Sequence, residues 1–336
     1  MIQIARSVAE AADFVPSAVA IGNFDGVHIA HGALIGMARE GGKRLGAAPT
    51  VLTFDPHPAK IVAPERAPKL LTTIEDRCRL LLAAHVEQIL ILPFTQEVAK
   101  LTPEEFVAQI IVAALRAKLV VVGENFRFGH KQAGDTKVLA QLGEKYGFET
   151  QFMQVSTCRG RIVSSSNIRG FIESGNILEA WRFLMRPHCI VGDVVQGRGV
   201  GTKQTVPTLN LHAPGAVLPR TGVYVTRTRR LRDGWRWNSI TNIGYRPTFS
   251  DGAPELSVET YLLDPFDGDT TERIEVEFLH RVRDERKFES PEALKKQILR
   301  DVGRAQAYFR HNRNLRGGDI LMADSGRKVW RFQRGN

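Results

Sequence analysis

Two histidines three residues apart, His28 and His31, follow the loop Gly22-Asn23-Phe24-Asp25-Gly26-Val27. An apolar run, Ala18–Ile21, leads into that loop, and from His31 a helical pattern puts Leu34, Ile35 and Ala38 on one face. Imidazoles at a helix start lie near the positive end of the helix dipole, and glycines let backbone N–H groups approach a ligand closely. The combination is an anion cradle suited to nucleotide phosphates. A lone histidine is ordinarily a core or surface residue, and a His-x-x-His pair also serves metals. No Cys or acid is spaced to complete a metal set nearby, which favours phosphate. A second glycine-rich stretch, Gly192 to Lys203, fails as a phosphate loop of the GxxxxGK[ST] kind, because Thr202 follows Gly201. Hairpin turns are its ordinary reading.

The elements that must position these residues follow from the apolar runs. Thr50–Phe54 is closed by Asp55-Pro56-His57-Pro58, a helix is predicted from Thr73 to Ala84, and Gln88–Leu92 is closed by Pro93. A helix starts at Thr102-Pro103-Glu104-Glu105, with an N-cap, a proline at N1 and acids in the first turn. It feeds a strand Lys118–Val122 that Gly123 ends. Strand, helix, strand, helix at this spacing predicts a parallel α/β sheet with ligands at the C-terminal ends of its strands. After Arg186-Pro187 the helical period gives way to β-rich runs: Ile190–Val195, Gly222–Arg229, Trp235–Ile243, Leu256–Leu262 and Ile274–Arg281. These predict a closed antiparallel barrel or sandwich, followed by one helix from Ser290-Pro291-Glu292 to about Phe309. The boundary falls near Leu184–His188, which gives domains at 1–185 and 186–309 and a basic tail at 310–336.

Length and composition agree, since 336 residues with 43% hydrophobic and 24% charged side chains suit two soluble globular domains. No apolar run approaches the ~18 residues of a membrane span, the N-terminus lacks a secretory-signal layout, and a cytoplasmic location is expected. Three sparse cysteines, Cys78, Cys158 and Cys189, fit reduced thiols rather than a disulfide framework. The net charge of +10 points to an anionic partner, nucleic acid first and a phosphate-bearing small molecule second. Seven Lys/Arg against two Asp between Arg310 and Asn336 concentrate part of that charge in the tail, whose plainer reading is a solvated or subunit-covering segment. The sequence admits a homo-oligomer.

The segment from Gly22 to His31 resembles the GxFDGVHxGH signature of the nucleotidylyltransferase domain of bacterial bifunctional riboflavin kinase/FAD synthetases. Further matches come in the family's order: Thr53-Phe54-Asp55-Pro56-His57-Pro58, Gly123-Glu124-Asn125-Phe126-Arg127-Phe128-Gly129, and Ser164-Ser165-Ser166-Asn167-Ile168-Arg169. In the second half, Val206-Pro207-Thr208-Leu209-Asn210 resembles the PTxN motif of riboflavin kinases. Asn242-Ile243-Gly244-Tyr245-Arg246-Pro247-Thr248-Phe249 is similar to NIGxRPTF, and Ser257-Val258-Glu259-Thr260-Tyr261 to the strand that carries the kinase base. Ala30 stands where the family usually has Gly, and Thr205-Val206 where it has Gly-Phe.

The resemblance implies a Rossmann-like first domain that transfers AMP from ATP to FMN, and a β-barrel second domain that phosphorylates riboflavin with ATP. It implies ATP contacts at Gly22, Asn23, Phe24, His28, His31, Ser164, Ser165 and Arg169, and substrate contacts at Asn125, Arg127 and Arg286. Thr208 and Asn210 would hold Mg²⁺, and Glu259 would act as base. The two chemistries differ as the residues do. The phosphate of FMN is already an anion, so the first step needs alignment and charge neutralisation rather than a base. A ribityl hydroxyl must lose its proton, so the second needs a carboxylate. The expected partners are therefore small molecules (ATP, riboflavin and FMN) and not nucleic acid. The other readings are an FAD synthetase whose kinase half only binds flavin, and a flavin-sensing nucleic-acid binder suggested by the basic tail.

Overall fold

A computed structural model describes residues 2–195, 208–246, 255–265 and 273–312. The chain forms two compact units. Among the described residues, the first holds the chain up to Pro68 and Thr73–Ser164, and the second holds Lys69–Thr72 and the chain from Ser165 on.

The first unit is a six-stranded sheet built from β1 (Gln3–Ala5), β2 (Ser17–Ile21), β3 (Ala48–Asp55), β4 (Gln88–Pro93), β5 (Ala117–Gly123) and β6 (Glu149–Met153). Its order is β1-β4-β3-β2-β5-β6, and every pairing is parallel. Connections run through α1 (Ile29–Leu45), α2 (Ala59–Val62), α3 (Ile74–Ala83), α4 (Gln96–Lys100), α5 (Pro103–Phe106) and α6 (Thr136–Tyr146). The apolar runs become strands because helices cover both faces. Val19, Ile21, Leu52, Leu90, Val120 and Val122 pack on one side with Ile111 and Leu139. Ala18, Ala20, Val51, Ile89, Leu119 and Val121 pack on the other with Leu34, Ile35 and Leu81. The parallel α/β expectation is met. Two local features differ from the reading. The helix pattern starts at Ile29 rather than His31, because His28 serves as its N-cap. After α5 the helix widens over Val107–Ala114, with Leu115 N–H reaching the Ile110 carbonyl at 3.0 Å.

The second unit opens with α7 (Ser165–Glu173) and α8 (Ile177–Leu184) and continues into a closed antiparallel barrel. After β6 in chain order the first unit also makes a two-stranded ribbon, β7 (Thr157–Cys158) and β8 (Arg161–Ile162). The barrel strands are β9 (His188–Val195), β10 (Thr208–His212), β11 (Gly222–Arg230), β12 (Arg236–Arg246), β13 (Glu255–Leu262) and β14 (Arg273–Arg283), ordered β10-β13-β12-β11-β14-β9. The β9–β10 pairing closes it. Leu209, Leu211, Tyr224, Trp237, Ile243, Val258, Leu262, Val276 and Phe278 fill the interior. Between them runs a buried hydroxyl ladder: Thr228 to Ser239 at 2.9 Å, Ser239 to Thr226 at 2.8 Å, Thr226 to Thr241 at 2.7 Å and Thr241 to Thr260 at 3.0 Å. The terminal helix α9 (Pro291–His311) is capped by Ser290, whose hydroxyl accepts from Ala293 N–H at 3.2 Å. Strand β10 was not among the predicted strands. It is short and follows directly on Pro207, which dilutes its β signal.

The short segment Lys69–Thr72 belongs to this second unit. Leu70 pairs with Ala216, its N–H reaches the Gly215 carbonyl at 2.9 Å, and its carbonyl accepts from Val217 N–H at 3.1 Å. Arg169 Nε donates to the Lys69 carbonyl at 2.7 Å.

Candidate active sites

In the first unit, β3, β2 and β5 are adjacent, so the loops that leave their C-terminal ends lie side by side. The chain order reverses between β2 and β5, and open α/β sheets place ligands at such a point. The loop after β2 carries Gly22, Asn23 and Phe24 into His28 and α1. His31 N–H donates to His28 Nδ1 at 3.3 Å, and His28 N–H donates to His31 Nδ1 at 3.4 Å. This is a capping box made of two imidazoles. The rings stack 3.6 Å apart at 11°, and Phe24 lies 4.9 Å from His31. Because Nδ1 accepts in both rings, the ring proton of each sits on Nε2, and both rings are donors there. Two such donors at a helix N-terminus suit phosphate oxygens.

The loop is strained. Phe24 (φ 49°) and Val27 (φ 37°) occupy the left-handed region that glycine prefers, and only Gly26 (φ 86°) does so without cost. Each such non-glycine residue costs on the order of 1–3 kcal/mol and persists only where its surroundings hold it. Gly22 N–H bonds the Leu52 carbonyl at 3.1 Å, and the Thr53 hydroxyl donates to the Asn23 carbonyl at 3.0 Å.

His57, after β3, reaches the same loop. Ala59 N–H donates to His57 Nδ1 at 3.2 Å, which puts the ring proton on Nε2, 3.3 Å from the Asn23 amide. The atom of Asn23 nearest that nitrogen is Nδ2, so the Asn23 side chain and the His57 ring meet edge to edge. The sequence reading quoted His57 only as part of a motif. Its signal was a histidine between two prolines directly after a strand.

Asn125 and Arg127 are exposed on the loop after β5. Arg127 pairs with Asp135 at 3.2 Å, and Asp135 caps α6 by accepting from Val138 N–H at 3.0 Å. Ser164 ends the first unit, whereas Ser165 and the buried Arg169 lie on α7 of the second.

In the barrel, Leu209 and Leu211 face inward, so Thr208 and Asn210 face outward. The register pairs Asn210 with Glu259, Glu259 with Asn242, and Thr208 with Tyr261. Opposed side chains on one face lie about 4.5–5.5 Å apart at Cβ, so these five groups form one patch. Asn210 is 8% exposed. Burial pushes the Tyr261 phenol up, the Glu259 charge adds to this, and a hydrogen bond with Thr208 acts in the opposite direction. One carboxylate with neutral hydroxyl and amide oxygens is a hard donor set, and it fits Mg²⁺.

Gly244 lies two residues along the same face from Asn242, and a Cβ there would stand 2.3 Å from the Glu285 carboxylate. Only glycine lets Glu285 approach. Arg286 extends over the Phe288 ring at 4.9 Å and hydrogen-bonds Gln297 on α9. Gln297 in turn donates to Asp301 at 2.7 Å, and Asp301 also accepts from Arg283 at 2.8 Å. The Gly-rich stretch from Gln196, Thr205-Val206-Pro207 and Pro247-Thr248-Phe249 lie outside the described residues. Among the described residues Cys189, Glu275 and Glu277 also gather, but Arg229 pairs with Glu275 at 2.8 Å and Arg227 with Glu277 at 3.7 Å, so the charges there are already matched.

Residues 11–167 match the FAD synthetase family, and residues 184–309 match the riboflavin kinase family. The bifunctional riboflavin kinase/FMN adenylyltransferase of Pseudomonas fluorescens is 35% identical over 85% of this chain and 91% of its own length. That of Escherichia coli K12 is 34% identical over 86% and 91%. Among solved structures, a macrolide-efflux protein from Streptococcus pneumoniae superposes with a TM-score of 0.78 at 28% identity, over 91% of this chain and 99% of that one. No helix among the described residues is long and apolar enough to cross a membrane.

Proposed function

Because the chain belongs to the bifunctional riboflavin kinase/FMN adenylyltransferase family, we propose that Glu259 serves the kinase step and that His28 and His31 serve the adenylylation. The enzyme converts riboflavin and ATP to FMN and ADP, then FMN and ATP to FAD and pyrophosphate. The pairing of Glu259 with Asn210 carries the division of labour, because it sets a carboxylate beside the metal-binding oxygens on one barrel face.

In the kinase step Glu259 accepts the proton of the ribityl hydroxyl as its oxygen attacks the γ-phosphorus. Thr208 and Asn210 would hold Mg²⁺, which when bound neutralises phosphate charge. Arg286 and the segment around it flank the flavin end. The shared face of Thr208, Asn210 and Glu259 favours a working kinase over a half that only binds flavin.

In the adenylylation an FMN phosphate oxygen attacks the α-phosphorus of ATP, and the bond to pyrophosphate breaks. The Nε2–H groups of His28 and His31, with the N-terminus of α1, stabilise the charge that develops on those oxygens. Gly22, Asn23 and Phe24 shape the ATP side, and Ser164, Ser165 and Arg169 add the contacts that the motif implies. Asn125 and Arg127 are assigned to the flavin substrate. The absence of a disulfide among the three cysteines suits a cytoplasmic enzyme.

The test separates the two halves. Glu259→Gln is expected to lower FMN formation by at least about 100-fold while FAD formation from supplied FMN continues. His31→Ala is expected to do the reverse, by about 100- to 1,000-fold. Loss of both activities in either variant would refute the two-site assignment. Excess EDTA is expected to stop the kinase, and phosphorylation persisting in EDTA removes the metal from it.

A further inference from the structure

Arg77, on α3, is 2% exposed in the first unit, and burial lowers its pKa while Asp25 and Asp55 act in the opposite direction. A buried guanidinium needs a reason, because an apolar side chain of similar volume is often neutral or more stabilising. Its Nη1 donates to the Thr53 hydroxyl at 3.2 Å and to the Phe54 carbonyl at 3.1 Å, while its Nε finds no partner among the described residues. Thr53 passes the interaction on, since its hydroxyl donates to the Asn23 carbonyl at 3.0 Å. A hydroxyl has one proton, so accepting from Arg77 while donating to Asn23 fixes its direction.

From this we infer that Arg77 is a positioning residue for FMN adenylylation, acting through Thr53 on the backbone of Asn23. The relay ends one residue before Phe24, the first left-handed position of the strained loop, and four before Val27. Strained conformations persist only when neighbouring contacts over-determine them. Arg77 supplies such a contact from α3, which packs on the sheet face that also holds Phe24 and Val27. It also ties the end of β3, through Phe54, to the loop after β2. Both strand ends that carry site histidines, His57 and the His28–His31 pair, are therefore referenced to one buried cation. A cation in that place also offsets Asp25 and Asp55, whose negative charge otherwise opposes the binding of two polyanions.

The inference rests on the assignment of adenylylation to the first unit. Both activities are measured on the full chain, with FMN formation in the second unit as internal control. Arg77→Met is expected to lower the kcat of adenylylation by about 10- to 100-fold, with a smaller change in KM for ATP. Arg77→Lys, which keeps the charge and one donor, is expected to restore most of it. Thr53→Val, nearly isosteric, is expected to lower kcat similarly, and Thr53→Ser to keep it. The double variant Thr53→Val/Arg77→Met is expected to match Arg77→Met alone, because both cut one relay. The relay is refuted by wild-type kcat in Thr53→Val, by losses that multiply in the double variant, or by FMN formation falling in parallel. If Arg77→Met does not fold, the Thr53→Val and Thr53→Ser pair decides. Wild-type protein that turns no FMN into FAD refutes the underlying assignment instead, before any variant is read.

Discussion

Tyr261 stands opposite Thr208 in the barrel, and its hydroxyl is hydrogen-bonded to that residue. Burial and the neighbouring Glu259 charge raise the folded pKa of this phenol above its ordinary value near 10. A raised folded value means that its contribution to stability is complete below about pH 10 and is lost as pH rises through the folded value. Tyr261→Phe keeps the ring and removes both the titration and the hydrogen bond to Thr208. The expected outcome is about 1 kcal/mol lower stability at pH 7, with a shallower fall in Tm above pH 10, followed by thermal melts across pH 7–11. An alkaline limb identical to wild type would remove Tyr261 from that role. At this scale the sequence named His28, His31, Asn210 and Glu259 from residue type and motif, and the fold sets His28 against His31 and Asn210 opposite Glu259. Tyr261, His57 and Arg77 escaped it. Their importance comes from cross-strand register and burial, and neither has a local signature in the chain.

The helix α9 is held by Asp301, which accepts from Gln297 and from Arg283 while itself almost entirely buried. Through Gln297 the same network reaches Arg286, so the helix and the segment after β14 are joined by hydrogen bonds between charged and amide groups. Asp301→Ala leaves the Arg283 guanidinium, which is only 17% exposed, without that partner. The expected cost is about 3 kcal/mol of barrel stability, read from the urea midpoint by tryptophan fluorescence. Adenylylation of supplied FMN is expected to persist at urea concentrations where FMN formation has stopped. Element identity was legible wherever an apolar run met clear punctuation. Asp55-Pro56 and Pro93 ended strands on cue, and Thr102-Pro103-Glu104-Glu105 opened a helix with the expected N-cap, to which the structure adds a capping box with Glu105. The widened turns over Val107–Ala114 were not legible, because a short all-apolar stretch looks the same in either helical geometry. Strand β10 was hidden for a different reason, since Thr208 is the only β-branched residue among its five and Asn210 disfavours strands.

Each unit has its own interior, with the sheet clusters in one and the barrel cluster in the other. A large-to-small change such as Phe278→Ala, at a fully buried barrel position, is expected to cost about 3–5 kcal/mol. It should lower the temperature at which FMN formation is lost and leave that of adenylylation within a few degrees of wild type, measured by residual activity after heating. Parallel loss of both activities would show that the two cores unfold as one. The change of hydrophobic period after Arg186-Pro187 made the two architectures visible in the sequence. That change marks where helices give way to strands, whereas the contacts group α7 and α8 with the barrel. A helix's own pattern does not say which neighbour covers its apolar face. The excursion at Lys69–Thr72 has a different kind of consequence. The chain supplies four residues to its second unit, returns to finish the first, and only then builds the barrel. A fragment that begins at Ser165 therefore carries the barrel without its stitch, and lacks the Leu70 carbonyl that accepts from Val217 N–H and the Lys69 carbonyl that accepts from Arg169. Separating the second unit as a stand-alone protein has to carry two segments of chain rather than one.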